Sequence, residues 1–159
     1  QSAQHDFVQN IYLAEDQEEY VKPIEKAAPD KASANTFDGL LNQNGSVILS
    51  DLVFKSGSSS LTESAFVSLK NLATYMKKNP ERKIVLVGHT DNIGELDRNM
   101  ALSKQRAQAV AKHLVKYYKI STKQISAEGT GFLSPISSNL TAEGRKTNRR
   151  VEAVLLSYQ

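Results

Sequence analysis

The chain has 159 residues, 40 % of them hydrophobic and none of them cysteine, with a formal net charge of +3. The lack of Cys excludes disulfides, cysteine catalysis, cysteine metal sites and, within these residues, attachment through a lipidated Cys, and it leaves the redox compartment open. The length is that of one domain with a real core, and no apolar run approaches the ~18 residues of a membrane-spanning helix. No leader pattern opens the sequence, as expected of a mature or trimmed form. The charge is uneven. Residues 1–36 carry three lysines against seven acids, giving −4, whereas residues 37–159 carry 17 basic and 10 acidic residues, giving +7. The second part therefore favours an anionic surface: nucleic acid, lipid headgroups or an anionic cell-wall polymer.

Residues 1–36 read as a tail or linker, with residues 37–159 as the folded domain. Pro23 and Pro29 interrupt the tail, and KAAPDKASANT has almost nothing to bury. Phe7, Val8, Ile11 and Tyr12 stand at helical spacing, which suits a short amphipathic piece or the end of an upstream element. Ordering costs about 1–2 kcal/mol per residue, so residues 13–36 are expected to add little to the core. From Phe37 the composition changes. Val47–Leu49 and Leu52–Phe54 read as strand, one kinked at Ser50-Asp51 or two short ones. After SGSSS, Thr62 is a candidate N-cap for a helix with Ala65, Leu69, Leu72 and Met76 in one stripe, widened by Phe66 and Ala73. Asn79-Pro80 stops it.

The most informative stretch is KIVLVGHTDNIGELDRNMALSKQR, Lys83 to Arg106. Ile84 to Val87 are apolar without alternation, so the spacing predicts a central strand buried on both faces. Gly88, Asn92 and Gly94 mark a turn, and Asn99 to Tyr117 has helical periodicity, with Ala107, Val110 and Leu114 as its stripe. His89, Thr90 and Asp91 thus lie at the carboxyl end of a strand, the edge where open α/β sheets tend to bind ligands. Asn99 and Arg106 are seven apart and share a helix face. Asp91 and Arg106 can then converge on one small concavity, which suits a zwitterion with its ammonium on Asp91 and its carboxylate on Arg106. The spacing leaves a second reading open, an internal Asp91–Arg106 salt bridge. In the first reading both groups are solvated in the free protein, and their loss barely touches stability.

The rest is shorter. Gln124–Glu128 reads as a strand, Gly129, Gly131 and Pro135 punctuate a loop, Thr141 to Thr147 is a short helix or turn opened by a Thr cap, and Arg149 to Leu156 is a closing strand. The fold class is α+β: a β-α-β-α-β-(short helix/turn)-β sandwich, a mixed sheet with helices on one face.

GHTDNIG, NMALSKQRAQAV, EGTG, Pro135 with Asn139, and TAEGRKTNRRVE together resemble the peptidoglycan-binding domain of outer membrane protein A-like proteins, a domain also found in peptidoglycan-associated lipoproteins and the flagellar stator protein. The resemblance covers about residues 45–157. It implies non-covalent binding of the peptidoglycan stem peptide through diaminopimelate, in the periplasm, beside the outer membrane of a Gram-negative bacterium, with other envelope proteins as further partners. It implies Asp91 for the amino group and Arg106 for the carboxylate, with Thr90 and Asn99 lining the pocket and Arg149 near it. Arg150 alternates to the opposite face. Near Gly57, where relatives often carry a larger polar residue, this chain has SGSSSL.

Other chemistry fits less well. No two of His5, His89 and His113 share metal-ligand spacing, and neither a metal nor another cofactor is expected. Ser103 of an imagined His89–Asp91–Ser103 triad lies inside a helix, not on a strained elbow. GRKTNRR lacks the interleaved aromatics of a nucleic-acid surface, so a basic nucleic-acid module is the runner-up and a peptidoglycan hydrolase the third reading. A binding module, not an enzyme, is the class expected.

Overall fold

In the computed structural model, which describes residues 35–61 and 66–156, the chain runs α1 (Phe37–Asn44), β1 (Ser46–Ile48), α2 (Val67–Lys78), β2 (Lys83–Gly88), α3 (Leu96–Tyr118), β3 (Ile125–Gly129), α4 (Ala142–Asn148) and β4 (Val151–Leu156). The expected tail, apart from its last two residues, and the Thr62 cap with Ala65 lie outside the described residues. Helix α1 was not anticipated. Its ends are nevertheless marked: the Thr36 hydroxyl accepts from Gly39 N at 3.1 Å, and Gly45 leaves the helix at φ 75°.

The four strands form one mixed sheet in the order β1-β4-β2-β3. β4 pairs antiparallel with β1 and β2, and β2 pairs parallel with β3. β2 is thus central, as its apolar run requires. The expectation that both its faces are buried is corrected. Ile84, Leu86 and Gly88 are buried, while Val85 and Val87 are half-buried. Helix α3 packs on β2 and β3 and covers the first set, while the other set shares a face with Val154 and Glu152 across the register. There β-branched neighbours shield one another without a helix.

Two glycines set how closely α3 approaches. A Cβ on Gly88 would lie 1.8 Å from the Ser103 carbonyl oxygen, and one on Gly129 would lie 2.2 Å from Ser103 Oγ. Only bare backbone at both strand ends lets α3 sit there. Ser103 uses the contact, since its hydroxyl donates to Met100 O at 2.8 Å and accepts from Gly131 N at 2.9 Å. The core gathers Leu69, Leu72, Ala73 and Met76 of α2 and Ala107, Val110 and Leu114 of α3, the stripes read from the sequence.

Leu52–Phe54 is not the second strand that was expected. Leu52 and Phe54 are buried, but their backbone joins no ladder. Arginines supply part of what a neighbouring strand would: Arg149 Nε donates to Phe54 O at 3.0 Å, and Arg106 Nη2 to Lys55 O at 3.1 Å. Phe54 is buried and its carbonyl needs a partner, which the Arg149 guanidinium provides.

Candidate functional site

The end of β2 is fixed before any side chain acts. His89 N donates to Arg150 O and Thr90 N to Gly131 O, both at 2.9 Å, so the HTD segment stays extended between β4 and the loop after β3. The following loop folds on itself. Asp91 Oδ1 accepts from Ile93 N at 3.1 Å, an Asx turn, and Thr90 Oγ1 donates to Asp91 O at 2.8 Å. Asn99, one turn into α3, donates its amide to Ile93 O at 3.0 Å and Glu95 O at 3.1 Å. Those bonds fasten the loop to the helix start, adding to the Asn99 N bond that Glu95 O already accepts.

Arg106 is fully buried. Its Nε donates to Ser58 O at 2.8 Å, Nη1 to His89 O at 3.0 Å and Nη2 to Lys55 O at 3.1 Å, and its guanidinium lies 5.2 Å from the Phe54 ring centre. Burial pulls its pKa down to about 10, with Asp91 opposing and Arg149 adding to the fall, so it remains charged at neutral pH. The second reading left open by the spacing, an internal Asp91–Arg106 salt bridge, is not what forms. Asp91 Oδ2 accepts from Arg149 Nη1 at 2.8 Å, in a pair almost closed to solvent. The expectation that both groups are solvated in the free protein is likewise corrected, because each is buried and bonded.

These elements enclose a cleft of about 200 Å³. Thr90, Asp91, Asn99 and Arg106, all named from the sequence, line it together. Arg149 does not form its wall but reaches Asp91, while Arg150 donates to Glu152 Oε1 at 2.8 Å and Ser134 O at 3.0 Å. The remaining wall comes from Ser56 and Gly57, Ile93 and Gly94, and Arg98 and Leu102. Of these, Arg98 was missed, although it directly precedes Asn99 on the helix that carries Arg106. A larger groove of about 740 Å³ follows β1, but Arg149, Arg150 and Glu152 on its wall already pair internally. The smaller cleft holds the convergent polar groups.

His89 does not join Asp91 and Ser103 in a triad. Its Nδ1 lies 3.0 Å from Thr130 Oγ1, and its Nε2 lies 3.7 Å from Glu152 Oε2, an ion-pair distance too long for a hydrogen bond. His89 and then Arg150 hold the Glu152 carboxyl down to about 2 against the opposing effect of burial. Asn148 is also structural: its Oδ1 accepts from Ile136 N and Ser137 N, and its Nδ2 donates to Ser137 O and Asn139 Oδ1.

Residues 53–149, which include the whole site, match the OmpA family. The chain belongs to that family. It is 41 % identical over 103 residues to outer membrane porin F of Pseudomonas aeruginosa, covering 65 % of this chain and 29 % of that protein. It is 38 % identical over 104 residues to the peptidoglycan-binding protein ArfA of Mycobacterium tuberculosis, covering 65 % of this chain and 32 % of that protein. The chain thus spans a third or less of the length of either relative. The solved peptidoglycan-associated lipoprotein of Burkholderia pseudomallei superposes with a TM-score of 0.64 at 27 % identity, covering 78 % of this chain and 99 % of that one. The α+β fold with its mixed sheet and helices is that of this OmpA-family member.

Proposed function

We propose that the chain is a peptidoglycan-binding module. It holds stem peptides of diaminopimelate type non-covalently in the cleft between the end of β2 and α3, and so tethers an envelope protein or the outer membrane to the cell wall from the periplasm. The observation that carries this is that Asp91 and Arg106 line one small cleft without pairing to each other. A guanidinium has five N–H donors. Three are given to carbonyls, which leaves one on each terminal nitrogen, a pair that a carboxylate can bridge. Asp91 accepts one bond on each oxygen and keeps lone pairs for an ammonium. A centre bearing both charges, as in the free end of diaminopimelate, satisfies the two together. The names of ArfA and of the Burkholderia lipoprotein support the same ligand polymer.

The basic segment GRKTNRR supports this reading over nucleic-acid binding. Arg145 donates to Asn139 O, Arg149 to Asp91, and Arg150 to Glu152, so these guanidiniums brace the fold. Nor is Ser103 poised as a nucleophile, with its hydroxyl between Met100 and Gly131. The test is co-sedimentation with purified cell walls. Walls containing diaminopimelate should bring the protein down and lysine-type walls should not. Equal sedimentation with both would end the diaminopimelate assignment.

A further inference from the structure

Arg98 stands in the first turn of α3 on the wall of the cleft. It is exposed and, among the described residues, makes no hydrogen bond or ion pair. That sets it apart from the other arginines at the site. Arg106 is held by three carbonyls, and Arg149 by Asp91 and Phe54 O. Glu95 and Asp97 precede Arg98 in sequence but do not line the cleft. Asp91, which Arg149 also contacts, and Arg106 serve the two charges of one zwitterionic centre, and the cleft carries a second, uncommitted positive group at its rim. One zwitterionic centre satisfies that pair and leaves the rim unanswered.

The two arginines are eight residues apart on one helix, about 12 Å along its axis. A ligand that engages both carries two anionic groups, one for each guanidinium. In a stem peptide, the isoglutamyl residue preceding diaminopimelate is joined through its side-chain carboxyl and keeps its α-carboxylate. From that carboxylate to the one at the free end of diaminopimelate is on the order of 13 Å in an extended chain, from standard bond lengths. We propose that Arg98 is a specificity-determining residue that pairs with the isoglutamyl α-carboxylate, so that the domain distinguishes stem peptides with this group free from those in which it is amidated. The proposal rests on the diaminopimelate reading of the cleft.

The test uses the full chain and two synthetic tripeptides of the diaminopimelate type, identical except that one carries isoglutamine. Calorimetry or fluorescence titration should give wild-type protein a preference of about fivefold for the free acid, the scale of a partly solvated ion pair. Arg98→Ala should bind both peptides as weakly as wild type binds the amide, and Arg98→Lys should keep most of the preference. A wild type indifferent to amidation, or a preference that survives in Arg98→Ala, overturns the proposal while leaving the cleft assignment standing. Binding of neither peptide by wild type overturns the diaminopimelate reading and this assignment with it.

Discussion

Arg149 Nη1 lies 2.8 Å from Asp91 Oδ2, across 58 residues of sequence. The same side chain donates through Nε to Phe54 O. One guanidinium therefore joins the end of β2, the start of β4 and the segment after β1. Removing it strands a carboxylate that is almost fully buried. Breaking a fully buried pair costs about 3–5 kcal/mol, and the partial exposure of Arg149 reduces this to roughly 2–3 kcal/mol. Arg149→Ala should lower the melting temperature by about 10 °C. An unchanged melt would show that the pair is dispensable.

The contact of α3 with the sheet makes a sharper expectation. The Cβ of Gly88→Ala would fall 1.8 Å from a helix carbonyl, where backbone rather than a flexible side-chain end must yield. The cost should be at least about 3 kcal/mol, the upper range for overpacking. The displaced helix should also weaken wall binding, since it carries Asn99 and Arg106. Gly57→Ala is the contrast: its Cβ meets nothing within 4 Å, and only the left-handed backbone at φ 71° resists it, for about 1 kcal/mol. Comparable melts for the two variants would refute the close-packing argument.

The central strand, the stripes of α2 and α3 and the convergence of Asp91 and Arg106 were legible because periodicity and strand–loop–helix order are local properties, whereas Thr90 and Asn99 were implied by the family resemblance. What was missed depends on the tertiary arrangement. Sequence spacing made Arg106 the natural partner of Asp91, but a strand end brings Arg149 closer, and Arg106 is drawn instead to carbonyls of a segment about 50 residues upstream. Leu52–Phe54 has strand composition yet forms no ladder, and Phe54 O is met instead by Arg149, 95 residues away in sequence. Helix α1 was passed over because Phe37, Leu40 and Leu41 give too short a stripe, although Thr36 and Gly45 mark both its ends. Arg98 carries no motif of its own, and its place on the cleft wall is a tertiary property.

Glu152 links stability to acid. Its carboxyl is held at about 2 in the fold against an ordinary 4.5, so the native state binds its proton less readily than the unfolded chain. The resulting stabilisation is complete above 4.5 and is lost as pH falls toward 2. Glu152→Gln should therefore lower stability at pH 7 and flatten the acid limb of a denaturation profile between pH 4.5 and 2. Parallel profiles for wild type and variant across that window would rule out Glu152 as the source.

Arg106 serves fold and ligand together, and the two roles require two substitutions to separate. Arg106→Ala takes the side-chain donor from His89 O and Ser58 O, while Lys55 O keeps Ser58 N, and an unsatisfied buried group costs about 1–3 kcal/mol, so the variant should be destabilised by roughly 2–4 kcal/mol. Lost wall binding in that variant is therefore ambiguous. Arg106→Lys keeps the charge but not the planar fork, and an ammonium cannot both replace three divergent bonds and bridge a carboxylate. It should melt between wild type and the alanine variant. Co-sedimentation is then measured on it at a temperature where far-UV circular dichroism shows it folded. Wall binding should fall by about 2 kcal/mol or more, close to thirtyfold, the scale of a charge-assisted contact. Asp91→Asn, which keeps an acceptor for Ile93 N but no charge for an ammonium, should fall similarly. Full wall binding by folded Arg106→Lys and Asp91→Asn would remove the ligand from this cleft and leave both residues as supports of the fold.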